Sequence, residues 1–187
     1  MGREKVLELK GLLERLASAT AIGGVAVLTL GFAAYVFGAR VNTSKSIPIG
    51  LYWTSSAPAE KGAYVIVCPH KASVFDEAKQ RGYIAAGFCA GHYGYIMKRI
   101  AAARADVVAI TDQGVRVNGQ LLGLSAPLKT DLAGRPMPRY RSNAIMLGAA
   151  EVLLMSDGSA TSFDGRYFGP LSRSQIKSVI RPVLTWK

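Results

Sequence analysis

Val115-Arg116-Val117-Asn118-Gly119-Gln120-Leu121-Leu122 reads as a β-hairpin. Asparagine and glycine both tolerate the positive φ of a tight type I′ turn, and the flanking runs carry strand-forming residues. Outward from this turn, Gly, Asn, Pro and Asp divide the chain beyond residue 40 into strand-length runs rich in Val, Ile and Tyr. Residues 63–68, 94–101, 106–111, 115–117, 151–155 and 178–185 are the strand candidates, the last weakened by Pro182. One helix is expected over residues 74–81, with Ser73 as its N-cap. Residues 124–143, punctuated by Pro127, Pro136 and Pro138, read as a long irregular excursion. The expected fold class is mainly β, in one domain, with no internal repeat and no low-complexity tract.

The other element visible in the sequence precedes this domain. Residues 16–39 carry no charge, and about 24 residues in a helix reach about 36 Å, more than the ~30 Å hydrocarbon thickness of a bilayer. The run is also longer than the about 7 to 15 residues of a secretory signal core, so a retained anchor is expected over a cleaved signal. Arg3, Lys5, Lys10 and Arg15 precede the span and only Arg40 and Lys45 closely follow it. The positive-inside rule then makes residues 1–15 a cytoplasmic segment, 16–39 a transmembrane anchor and 40–187 a domain on the outer side, the periplasm of a bacterium.

The net charge of +11 is the signature that most often marks nucleic-acid binding, but the basic residues are scattered and form no dense run. No zinc-finger spacing or glycine-rich phosphate loop accompanies them, so nucleic acid is not an expected partner and a basic surface near anionic lipid is. Cys68 and Cys89 leave three readings open: a disulfide, two buried thiols, or a metal site with His70 and His92. The single residue between Cys68 and His70 is tighter than usual zinc spacing, and no metal or other cofactor is expected.

Two residues carry chemistry. In Tyr95-Ile96-Met97-Lys98-Arg99-Ile100 a strand places Lys98 on one face with Ile96 and Ile100, where desolvation favours the neutral amine. Periodicity alone also fits a lysine that snorkels from an edge strand. Ser46 lies in Thr43-Ser44-Lys45-Ser46-Ile47-Pro48-Ile49-Gly50-Leu51-Tyr52-Trp53, which Pro48 and Gly50 hold out of regular helix, just beyond the anchor. A turn serine is the alternative there. A serine hydroxyl needs a base to become a nucleophile, and a neutral lysine is such a base.

Four ordered motifs, over nearly the whole chain, resemble the type I signal peptidase family of Ser/Lys proteases, in particular its conjugative-transfer branch of TraF-type pilin maturation peptidases. They are residues 46–52, 94–100, 115–119, and the run Ser156-Asp157-Gly158-Ser159-Ala160-Thr161-Ser162-Phe163-Asp164-Gly165-Arg166 with its continuation to Pro170. The resemblance implies a signal-peptidase-like β-rich catalytic domain behind an N-terminal transmembrane helix. By it Ser46 is the nucleophile and Lys98 the general base. Ser44 helps the Ser46 N–H form the oxyanion hole, Ser162 orients the base, and Asp164 and Arg166 brace the structure. Ile47 and Pro48 replace the general enzymes' Met and more distant Pro. The Lys motif is followed by Ala101-Ala102-Ala103-Arg104-Ala105-Asp106 in place of Pro-Gly-Asp, and residues 158–161 stand where an Asn-Arg stretch is found in the general enzymes.

These departures point to the specialised branch over general secretory cleavage. The implied activity is cleavage of a pilin precursor through an acyl-enzyme, resolved by ring closure or by water, alongside other conjugative transfer proteins at the bacterial inner membrane. A non-catalytic, membrane-tethered pilus assembly factor is the competing class. Retention of both Ser46 and Lys98 weighs against it.

Overall fold

The structure, a computed structural model, describes residues 2–186, with side chains described for residue 2 and residues 8–186. It divides into two compact units, residues 1–39 and 40–187. The first is helix α1 (Arg3–Val36). Its section Glu8–Val36 is long and apolar enough to cross a membrane, and none of its most apolar window is buried. Thr29 returns its hydroxyl to the Val25 carbonyl at 2.8 Å, so this polar side chain adds no unpaired donor to the apolar surface.

In chain order the second unit is built from β1 (Ala39–Asn42), β2 (Ile49–Ser55), β3 (Tyr64–Val67), α2 (Ser73–Gln80), β4 (Ala86–Cys89), β5 (Ile96–Ala102), β6 (Val107–Thr111), β7 (Gly114–Val117), β8 (Gln120–Leu121), β9 (Ser142–Met146), β10 (Glu151–Met155), α3 (Gly165–Phe168), β11 (Leu171–Ser172) and β12 (Ile176–Trp186). A seven-stranded sheet runs β1-β2-β12-β3-β5-β10-β11, and a four-stranded sheet runs β8-β7-β6-β9. The mainly β expectation is met.

Period-two patterning decides which way the large sheet faces. Val65 and Val67 of β3 and Ile96 and Ile100 of β5 enter one core with Phe75, Tyr93, Val152, Leu154 and Phe163. Ile66 of β3 points to the opposite side with Ile47, Tyr52 and Ile180. The second sheet closes its own core over Ala102, Leu153 and Met155, which extends the large sheet into the small one.

The hairpin at Asn118-Gly119 forms with φ of 51° and 80° and pairs Val117 with Gln120. β12 passes through Pro182 because its pairing with β3 ends at Ile180 and its register with β2 shifts between Pro182 and Leu184. A residue without an N–H is tolerated where a ladder has ended or bulged. Ser73 does not cap α2: it is the first helical residue, and Ala72 is the N-cap without a side-chain bond. β2 lies outside the strand candidates. Pro48 and Gly50 look like breakers, yet a Cβ at Gly50 would collide with the Leu184 carbonyl, so glycine there admits the partner strand.

Cys68 and Cys89 form a disulfide with Cα atoms 5.4 Å apart. This takes both sulfurs out of the metal-ligand alternative. His70 Nδ1 instead meets Gln175 Nε2 at 2.7 Å.

Candidate active site

Alternation along β5 buries Ile96, Lys98 and Ile100 and leaves Arg99 exposed. Lys98 has only 4% of its surface exposed. Burial pushes its ammonium from the ordinary 10.5 down to about 8; the nearby Asp164 charge opposes that shift and Arg166 reinforces it. The lysine does not snorkel. It ends inside the fold on two hydroxyls.

Those hydroxyls come from distant parts of the chain. Lys98 Nζ lies 2.8 Å from Ser46 Oγ and 2.7 Å from Ser162 Oγ, and the two oxygens are 3.1 Å apart. Ser46 stands on the loop between β1 and β2, and Ser162 on the loop between β10 and α3. In this triangle a neutral amine can give an N–H to Ser162 and turn its lone pair to the Ser46 O–H. That arrangement is suited to take a proton from a serine.

The Ser46 loop is shaped by Asn42, which the sequence reading passed over. Its side-chain amide donates to the carbonyls of Ser44, Ile47 and Pro48 at 2.7, 3.0 and 3.0 Å. Its side-chain oxygen accepts from the Ser44 N–H at 3.1 Å and the Ser44 hydroxyl at 2.9 Å. Ser44 therefore lies on the same loop as Ser46, and its hydroxyl rests on Asn42. An Asn preceding a Pro-containing loop is a known turn-former, and that was the available signal.

Asp164 and Arg166 are fully buried and meet in a two-pronged pair, Nε to Oδ1 at 2.7 Å and Nη2 to Oδ2 at 2.9 Å. Arg166 also donates to the Ala160 carbonyl at 2.9 Å, and Asp164 accepts from the Ser156 N–H at 3.0 Å. The pair thus closes the loop that ends at Ser162. Ser156 extends the brace, donating its hydroxyl to the Ser46 carbonyl at 2.7 Å. Gly158 permits that approach, since a Cβ there would sit 2.7 Å from the Lys45 carbonyl oxygen. Ser156 and Gly158 lie in the quoted motif, but the sequence attaches no role to either.

Ser46, Lys98 and Ser162 open onto a cleft of about 740 Å³ whose lining also includes Tyr83, Leu132 and Met137.

The family described as "Signal peptidase, peptidase S26" matches residues 12–185. A "Plasmid transfer protein TraF" of Escherichia coli is 68% identical over 175 residues, 94% of this chain and 98% of that protein. A "Conjugal transfer protein TraF" of Agrobacterium fabrum is 33% identical over 168 residues, 87% of this chain and 93% of its own length. Among solved structures, a signal peptidase I from Enterococcus faecalis V583 is similar with a TM-score of 0.40 and 15% identity, covering 68% of this chain and 100% of that one.

Proposed function

The chain belongs to the signal peptidase, peptidase S26 family, a family of serine peptidases, and from that premise we propose that it is a membrane-anchored endopeptidase in which Ser46 is the nucleophile and Lys98 the general base. The observation that carries this reading is the 2.8 Å approach of Ser46 Oγ to a lysine whose burial lowers its pKa to about 8. Neutral Lys98 takes the Ser46 proton as Oγ attacks the scissile carbonyl. The Ser46 N–H and the Ser44 hydroxyl receive the developing oxyanion, for which the Ser44 hydroxyl turns from Asn42. The resulting Lys98 ammonium protonates the leaving amine, and an acyl-enzyme remains. Ser162 holds the lysine's orientation through both protonation states.

The substrate in this reading is the precursor of a conjugative pilin, and other transfer proteins are its neighbours. The plasmid and conjugal transfer names of the relatives support that assignment. The acyl-enzyme is resolved by the pilin's own N-terminal amine, which closes the chain head to tail. Residues 16–39 anchor the enzyme in the inner membrane, and residues 40–187 face the periplasm. The Cys68–Cys89 disulfide supports an oxidising compartment for this domain.

Processing of the pilin precursor in cells expressing each variant at matched level tests the reading. Ser46→Ala, Lys98→Ala and Lys98→Arg are expected to accumulate precursor, the last because guanidinium does not release a proton near neutrality. Processing by Ser46→Ala would overturn the nucleophile, and processing by Lys98→Arg the base. The product's mass decides its fate, since a ring weighs one water less than the trimmed linear chain.

A further inference from the structure

Leu132 is fully exposed, yet it stands on one of the most heavily tied turns of the molecule. Thr130 bridges Pro136, the Asp131 N–H donates to the Arg135 carbonyl at 2.9 Å, and the Met137 N–H donates to the Lys129 carbonyl at 3.0 Å. Inside this small ladder the Asp131 carboxylate accepts from the Ala133 N–H at 2.9 Å, the Arg135 N–H at 2.8 Å and Arg135 Nε at 2.7 Å. The Tyr83 hydroxyl donates to the same carboxylate at 2.6 Å, and Arg81 donates to the Pro136 carbonyl at 2.6 Å. The turn is thus fastened to the segment that follows α2. Leu128, partly exposed, is pinned beside it by its N–H on the Tyr167 hydroxyl at 3.0 Å.

Leu128, Leu132 and Tyr83 line the same cleft as Ser46 and Lys98. A large apolar side chain held in water by a rigid turn gains by being covered, and it loses little entropy when it is, because its backbone is already ordered. Continuity of the cleft with the Ser46–Lys98 pair makes the polypeptide being cut the occupant. We propose that Leu132, with Leu128, grips an apolar side chain of the substrate at a position removed from the scissile bond, so that substrate choice depends on that residue. The inference rests on the serine-peptidase reading of this cleft.

A library of extended decapeptides tests it, each position around the cut being filled with either leucine or serine and cleavage being followed with the full-length enzyme in detergent. The wild type is expected to prefer leucine at one position by about tenfold or more in kcat/KM, the scale on which an apolar contact discriminates. Leu132→Ser is expected to lose that preference through KM while kcat is kept, and Leu132→Met to retain it. Full exposure of Leu132 means that neither change removes internal packing. A wild type that cleaves without an apolar preference, or a preference that survives in Leu132→Ser, overturns the grip alone. Cleavage by no enzyme form, with wild type equal to Ser46→Ala, overturns the peptidase reading and the grip with it.

Discussion

The hydroxyl of Ser156 donates to the backbone carbonyl of Ser46 at 2.7 Å, joining two loops that are 110 residues apart in sequence. Through this bond the brace built on Asp164 reaches the backbone of Ser46. Ser156→Ala removes it without removing a charge. The expected outcome is a loss of about 1 kcal/mol in stability and a fall in kcat of about tenfold, as Ser46 drifts from Lys98. Thermal melting and single-turnover processing check the two effects, and Ser156→Thr, which keeps the hydroxyl, is expected to restore part of both.

Lys98 makes rate and stability depend on pH. The proposed base works only when neutral, so with a pKa lowered to about 8 the rate of acylation is expected to rise about tenfold per pH unit below pH 8 and to level above it. A profile that is flat from pH 6 to pH 9 would exclude Lys98 as the base.

The same burial costs stability. Between about 8 and the ordinary 10.5 the unfolded chain binds a proton that the folded one does not, so Lys98 makes stability rise with pH through that window and its penalty is full below it. The penalty reaches up to about 3 kcal/mol at neutral pH. Lys98→Met is therefore expected to be inactive yet to melt higher than the wild type at pH 7, with the gap closing as pH approaches 10.5. Melting curves across that range check it.

Ser44 and Asn42 are expected to separate by their effects. Ser44→Ala removes the proposed second oxyanion donor, and the expected cost is about 2.7 to 4 kcal/mol in the transition state, a hundred- to thousand-fold in kcat with folding intact. Asn42→Ala removes the partner of the Ser44 and Ile47 carbonyls and of the Ser44 hydroxyl, while the Pro48 carbonyl keeps the Tyr52 hydroxyl, so both melting temperature and kcat are expected to fall. A fully inactive Ser44→Ala beside an active Ser46→Ala would exchange the roles of the two serines.

Asp164 and Arg166 form a fully buried pair, and removing one partner leaves an uncompensated charge. Asp164→Ala is expected to cost about 3–5 kcal/mol, and the double variant with Arg166→Ala less than the sum of the two single changes. A double-mutant cycle on melting measures the coupling; additive losses would remove the bracing role.

How much was legible in the sequence differs between these elements. The anchor-length helix, the Asn118-Gly119 hairpin and the facing of Lys98 were all readable, because each follows from a local pattern: apolar length, a positive-φ turn, alternation on a strand. Ser46 and Lys98 were found together through ordered motifs, since neither residue is distinctive alone. What only the tertiary structure decided is the company these residues keep. β2 was hidden because Gly50 serves a close approach to Leu184 that no neighbour in sequence announces. Cys68 and Cys89 left three chemistries open until β3 and β4 brought their Cα atoms to 5.4 Å. Ser44 was read by position, but its hydroxyl's direction depends on Asn42. Ser156 and Ser162 reach Ser46 and Lys98 across 64 to 116 positions, and the Asp164–Arg166 pair joins them through the Ser156 N–H. Local periodicity carries information over a turn or a strand, whereas hydrogen bonds between loops are set by how whole sheets stack, and that packing placed the lysine on its serine.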